Sequence, residues 1–322
     1  MIQLKLMKKV QKVSILIPAY NEAESLHILY ERLYNLAEST SGYLFEFLFI
    51  NDGSKDSTLS IIQELSDKDP RIAYINLSRN FGKEIAMIAG LDHVSGDAVV
   101  IIDADLQDPP ELIPEMIKFW KQGYDDVYAR RNNRHGETWL KKLTSSLFYR
   151  VLQRSTHIPI QQDTGDFRLL DRRAIEALRN LRESQRYTKG MFSWIGYKKK
   201  EIVYDRDPRI AGKSKWNYLK LIDLAIEGII SFTTAPLRWA SVLGIVVSFL
   251  AFVYILYIVS RTLFFGTDLA GYPSMMAVIL FLGGIQLLSL GIIGEYIARI
   301  FIETKNRPLY FVEEYHASHT KK

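Results

Sequence analysis

Residues 239 to 260 carry no charge, and a second charge-free run lies between Asp268 and Glu295. At a helical rise of about 1.5 Å per residue the first run reaches roughly 33 Å, enough to cross the hydrocarbon core of a bilayer. Two buried helices of a soluble domain are a poor alternative at these lengths. Pro273 suits the start of the second helix, so spans are expected at about 239–260 and 275–296.

Charge bias orients this hairpin. The segment Thr262 to Ser274 has no lysine or arginine. Lys213, Lys215, Lys220 and Arg238 precede the first span, and Arg299, Lys305, Arg307, Lys321 and Lys322 follow the charge-free part of the second. The positive-inside rule then sets both termini in the cytoplasm, with the hairpin in the cell (inner or plasma) membrane. Residues 1–13 contain lysines but no apolar core of a signal peptide, so the N-terminal part is expected to stay cytoplasmic. Trp216 to Phe232 is amphipathic, abuts the first span, and reads as an interfacial helix. Trp139 to Arg154 has a similar pattern that a soluble helix would share. The expected organisation is a cytoplasmic domain over 1–212, a connector over 213–236, two spans within 237–300 and a cytoplasmic tail over 301–322. Gly283, Gly284, Gly291 and Gly294 leave room for close helix contact, within the hairpin or with a second copy in a homo-oligomer.

The first part of the chain alternates strand and helix patterns. Apolar runs at Val13–Pro18, Phe45–Ile50, Ile72–Leu77, Ala98–Ile102 and Asp126–Ala129 are separated by stretches of helical period. This alternation predicts an α/β fold: a mostly parallel sheet with helices on both faces. The fourth run ends in Asp103 and Asp105, and Pro109 and Pro110 stop the strand. Strand alternation would point the two carboxylates the same way. They fall at a strand's carboxyl end, where open α/β sheets place ligands. Such hard oxygen donors suit a divalent ion that also holds phosphate oxygens. Taken alone, two aspartates after a strand are more often a solvated turn.

Composition narrows the chemistry. No cysteine is present, which excludes a disulfide framework, a thiol nucleophile and thiolate-held zinc. Six scattered histidines form no H-x-x-x-H pair. A net charge of +5 suits anionic lipid surfaces or phosphate-bearing substrates, and no nucleic-acid motif accompanies it. Three strand ends converge in a parallel sheet: Pro18-Ala-Tyr-Asn-Glu22, Asn51-Asp-Gly-Ser54 and Asp103-Ala-Asp105. They supply an aromatic ring, acceptors for ribose hydroxyls and a metal pair, without any glycine-rich phosphate loop. A diphosphate leaving group held by metal points to glycosyl transfer.

Six runs, in order, carry a resemblance. They are Ile17-Pro-Ala-Tyr-Asn-Glu22, Asn51-Asp-Gly-Ser-Lys-Asp-Ser-Thr58, Leu77-Ser-Arg-Asn-Phe-Gly-Lys-Glu84, Asp103-Ala-Asp-Leu-Gln-Asp-Pro-Pro110, Gly165-Asp-Phe-Arg-Leu-Leu-Asp-Arg172 and Gly212-Lys-Ser-Lys-Trp216. With them the chain resembles the inverting glycosyltransferases of family 2, of GT-A fold, and among those the polyisoprenyl-phosphate glycosyltransferases. Asn51 departs from the pattern, since many members carry aspartate there.

The resemblance implies roles. Pro18, Ala19, Tyr20, Glu22 and Asp52 would hold base and ribose, with Asp103 and Ala104 along the nucleotide. Asp105 with Gln107, and Asp103 beside them, would bind Mg2+ or Mn2+ at the diphosphate. Arg131, Arg209, Ser214 and Lys215 would meet the phosphates of donor or acceptor. Asp166 is the base candidate, although a lipid monophosphate is mostly dianionic near neutrality and needs a base less than a hydroxyl does. The implied reaction is transfer of a hexose, glucose from UDP-glucose by preference, to a polyprenyl phosphate of undecaprenyl type. GDP-mannose or a UDP-aminosugar as donor, and a nucleotide-binding scaffold without catalysis, are the alternatives.

Overall fold

The computed structural model describes residues 10–132, 164–184, 186, 188–205, 235–265 and 271–319. Four strands, β1 (Gln11–Ala19), β2 (Tyr43–Asn51), β3 (Ile72–Leu77) and β4 (Ala98–Ile101), pair in parallel in the order β4-β1-β2-β3. All four are buried along almost their whole length, as continuous apolar runs require when both sheet faces are covered. Helices α1 (Leu26–Ser39), α2 (Thr58–Lys68) and α4 (Ile113–Lys121) bury Leu29, Leu33, Ile62, Met116 and Trp120 in one core with Val13, Ile15 and Ile17. Helix α3 (Lys83–His93) meets the alternate residues of the same strands. A Cβ on Gly90 would lie 2.6 Å from Leu16 Cδ1 and 2.8 Å from Ile50 Cδ1, so glycine is what lets α3 seat this closely. The start of α2 is held by Asp56, whose Oδ1 accepts from Thr58 N–H at 3.0 Å, while Ser57 makes no side-chain cap.

Four more strands extend the sheet to β7-β5-β6-β4-β1-β2-β3-β8 among the described residues. They are β5 (Asp126–Arg131), β6 (Thr164–Asp171), β7 (Lys199–Tyr204) and β8 (Val312–His316). β6 runs antiparallel to both β4 and β5, and β8 antiparallel to β3. The sheet is therefore mixed around a parallel centre. Arg168 of β6 is fully buried, with Nη1 3.0 Å from Asp126 Oδ2 and its guanidinium 3.7 Å from the Phe192 ring centroid. Helix α5 (Arg172–Asn180) follows β6, capped by Asp171, whose carboxylate accepts from Arg173 N–H.

The expected C-terminal tail holds a strand. Residues 308–319 cluster with the N-terminal unit. Tyr74 Oη donates to Glu314 at 2.6 Å, Asn76 Nδ2 to Glu313 at 3.1 Å, and Ser78 N–H to the Phe311 carbonyl at 3.1 Å. Beyond the strand, Ser318 Oγ donates to Glu46 at 2.8 Å.

The second unit contains α7 (Ala235–Phe265) and α8 (Tyr272–Thr304), which pack on each other. Both outrun the charge-free stretches. Ile245, Phe249, Leu287 and Leu290 are each more than 60% exposed, so these helices present apolar surface with no protein cover among the described residues. One segment, Phe281–Thr304, with mean hydropathy 1.6, is long and apolar enough to cross a membrane, and Trp239–Tyr254 is a shorter apolar stretch. Trp139 to Arg154 and the Trp216 to Phe232 connector lie outside the described residues.

Candidate active site

Pairing register brings the strand ends together. Ala19 sits beside Asn51 across β1 and β2, and Asp52 N–H donates to the Ala19 carbonyl at 2.9 Å. On the other side of β1, Ile102 N–H donates to the Leu16 carbonyl at 3.0 Å. The strand pairing of β4 stops at Ile101, before the aspartates, yet the alternation of burial runs on. Ala104, Leu106 and Asp108 are buried, while Asp103, Asp105 and Gln107 are half-buried. Leu106 has φ of 61°, a left-handed conformation that costs a branched residue about 1–3 kcal/mol and persists where surrounding packing imposes it. Its side chain is 1% exposed, which supplies that packing. Asp105 Oδ1 accepts from Gln107 N–H at 3.2 Å across this turn.

Asp166 arrives from the other direction. β6 pairs Arg168 with Ile101, so the same register carried two residues further sets Asp166 opposite Asp103. Lys83 joins the two, with Nζ 2.6 Å from Asp103 Oδ1 and 2.5 Å from Asp166 Oδ2. Burial alone would lower the Lys83 ammonium, but Asp103 and Asp166 outweigh it and raise its pKa. Burial likewise pushes Asp166 up, and Lys83 overrules it to hold the carboxylate below its usual range. Lys83 was absent from the expected site, where its run served only as a family mark. A signal existed: a lysine opening a helix sits at the positive end of the dipole, where a cation is disfavoured without another reason.

More charge surrounds this pair. Glu84, the next residue, is raised to about 8 by burial and then by Asp166. Lys189, in α6 (Thr188–Trp194), is lowered by burial, against the charges of Asp166 and Glu84. Arg131 ends β5 opposite Tyr204 of β7, and its Nε is buried without a hydrogen-bond partner. Tyr204 Oη donates to Asp108 at 2.5 Å, and burial with that carboxylate raises the phenol.

The loops after β1 and β2 are knitted together. Asn21 is left-handed at φ of 56°, with Oδ1 accepting from Lys55 N–H at 2.8 Å and its own N–H donating to Ser54 Oγ at 3.0 Å. Glu22 N–H donates to Thr58 Oγ1 at 2.9 Å. Pro18 and Ala19 are buried, and Tyr20 and Glu22 are partly open. Asp52 is 2% exposed, accepting from Phe81 N–H at 2.7 Å, Gly82 N–H at 2.9 Å and Asn80 Nδ2 at 3.1 Å. Its carboxylate thus fixes the loop that delivers Lys83. Asn51 is buried and donates from Nδ2 to Asn76 Oδ1 at 2.8 Å. Arg209, Ser214 and Lys215 lie outside the described residues.

Sequence comparison decides the family. The profile for "Glycosyl transferase family 2" matches residues 14–179, which hold the ends of β1, β2 and β4 and Asp166, and that for "GtrB C-terminal hairpin" matches residues 235–300. The chain belongs to glycosyl transferase family 2. An uncharacterised glycosyltransferase of Synechocystis sp. is 48% identical over 94% of this chain and 95% of its own. The SfII prophage-derived bactoprenol glucosyl transferase of Shigella flexneri is 45% identical over 95% of this chain and 98% of its own. Among solved structures, glucosyl-3-phosphoglycerate synthase from Mycobacterium tuberculosis, in complex with Mn2+, UDP-glucose and phosphoglyceric acid, is 19% identical with a TM-score of 0.45, over 67% of this chain and 76% of its own.

For a family 2 enzyme the donor set for a cation is then the question. Among the described residues no three His, Asp or Glu side chains gather as a cage. Asp105 and Gln107 offer hard oxygens on either side of the Leu106 turn, which fits an ion that takes its remaining ligands from phosphate and water. Asp103 is engaged by Lys83.

Proposed function

We propose that this enzyme transfers glucose from UDP-glucose, with inversion, to a polyprenyl phosphate at the cytoplasmic membrane face, giving a lipid-linked sugar. One observation carries the reading. A family 2 site of Asp103, Asp105, Gln107 and Asp166 belongs to a chain that continues into an apolar hairpin and aligns along 98% of a bactoprenol glucosyl transferase. Two crossings are favoured by the return of the chain, because β8 after the hairpin pairs with β3 before it. An odd number of crossings would separate those strands.

Each residue then has a task. Pro18, Ala19, Tyr20 and Glu22 line the nucleotide, and Asp52 keeps the neighbouring loop in place. Asp105 and Gln107 hold Mg2+ or Mn2+, which when bound neutralises the departing nucleoside diphosphate. Arg131, with Arg209, Ser214 and Lys215, meets phosphate, where a planar guanidinium binds two oxygens at once. Asp166, held ionised by Lys83, accepts hydrogen bonds and orients the reacting groups. The acceptor phosphate is itself the nucleophile and is mostly dianionic near neutrality, so little proton transfer is needed.

The deciding experiment incubates the purified full-length protein with Mg2+, undecaprenyl phosphate and a panel of labelled nucleotide sugars. A glucosylated lipid from UDP-glucose is expected. No lipid-linked product from any donor would sink the reading.

A further inference from the structure

Glu84 has no task in that mechanism. It lies in the first turn of α3, and its Oε2 is buried without a hydrogen-bond partner. Burying a carboxyl oxygen without a partner is costly, so the position calls for a reason. Pairing Lys83 is not that reason, since its ammonium already meets Asp103 and Asp166. Serving the helix dipole is not either, because a solvent-facing glutamate would do so without desolvation. Of the charged groups acting on it, Lys83 and Lys189 also act on Asp166, itself the acid in the set, while Arg186 lies toward Glu183 and Asp92. Its raised pKa, about 8, leaves the carboxyl mostly neutral at physiological pH. A neutral carboxyl offers one O–H donor and an acceptor, the complement of a sugar hydroxyl.

We propose that Glu84 reads one hydroxyl of the transferred hexose through its unpartnered carboxyl oxygen and thereby sets sugar specificity. The assignment rests on the glycosyl-transfer reading above and names a specificity residue within it. A site built to bond a hydroxyl strongly rejects the analogue that lacks it, because its own polar group is then left unpaired.

The test uses the full-length wild type, Glu84→Gln and Glu84→Ala. Calorimetry measures the Kd for UDP, UDP-glucose and the donor analogues deoxygenated singly at positions 2, 3, 4 and 6 of the hexose. UDP should bind all three proteins alike. The wild type should lose roughly 10- to 100-fold in affinity for one deoxy donor, the scale of leaving one buried polar group unsatisfied. Glu84→Ala should bind UDP-glucose that much more weakly and no longer distinguish that analogue, with Glu84→Gln between the two. Identical ranking of the deoxy donors by all three proteins would overturn the proposal. So would a wild type that binds UDP-glucose no more tightly than UDP, or a loss of UDP binding in Glu84→Gln, which would mark a structural role. Discrimination by Glu84 without any transfer to undecaprenyl phosphate would instead discard the lipid-acceptor reading and leave this one standing.

Discussion

Two groups of charge lie at opposite ends of the same parallel strands, and they are built differently. At the amino ends, Glu46 of β2 accepts from Lys12 Nζ at 2.7 Å, Ser95 Oγ at 2.9 Å, Ser318 Oγ at 2.8 Å and from Ser14 Oγ. Its carboxylate is held below the usual range because these partners outweigh burial. At the carboxyl ends, Lys83 bridges two aspartates while Glu84 Oε2 and Arg131 Nε are buried with no hydrogen-bond partner. The first group is closed on itself and holds β1, β2 and the C-terminal segment in register. The second keeps unspent hydrogen-bonding capacity, which is what a binding site shows before its ligand is present.

Substitutions separate the two most sharply where the reaction is involved. Asp105→Asn should lower kcat/KM by about 10³-fold, the scale of several kcal/mol of charge stabilisation lost, with the thermal midpoint nearly unchanged. An active Asp105→Asn would break the assignment of that edge. Glu46→Ala should do the converse: about 3–5 kcal/mol less stable to urea, since Lys12 is left buried and unpaired, with KM for the donor retained in the folded fraction. Lys83→Met should lower kcat by roughly 10²-fold, the scale by which misplacing a reacting group slows turnover, and cost far less stability than Glu46→Ala. Equal stability losses in the two would erase the distinction.

A smaller effect is expected with pH. Folded Glu84 keeps its proton to about pH 8, against an ordinary value of 4.5. The folded state therefore binds the proton more tightly than the unfolded one, and stability falls as pH rises from about 4.5 through 8. Glu84→Gln should flatten that slope in thermal scans taken at a series of pH values. Smallest of all, Tyr74→Phe removes the bond to Glu314 at the β3–β8 edge and should cost about 0.5–1.5 kcal/mol in urea unfolding.

Much of this architecture is legible in the sequence where a short apolar run meets a residue that stops it. Asn51 and Asp103 each close such a run, β1 continues one residue past Pro18 to Ala19, and the three ends share one edge. The order of residues says less about partners chosen at a distance. β6 carries Gly165-Asp-Phe, visible as a family mark, but nothing local announces that it runs antiparallel to β4 and so brings Asp166 opposite Asp103. Lys83 and Glu84 open a helix whose pattern reads correctly, and the reading stops at the helix. β8, Val-Glu-Glu-Tyr-His, lacks alternation because it is a largely exposed edge strand held by side-chain bonds and β3 rather than by a buried face. The hairpin is the reverse case, since composition alone marks it.

β8 also bears on the order of assembly. It follows the hairpin in the chain and covers the edge of β3. On a ribosome the sheet edge at β3 therefore stays bare until both apolar helices have emerged and the chain beyond them is made. A bare edge is a template for pairing with other chains. Completion of the sheet is thereby made to wait on synthesis of the whole apolar hairpin, and a product truncated within the hairpin would expose an unpaired strand that proteases and chaperones recognise.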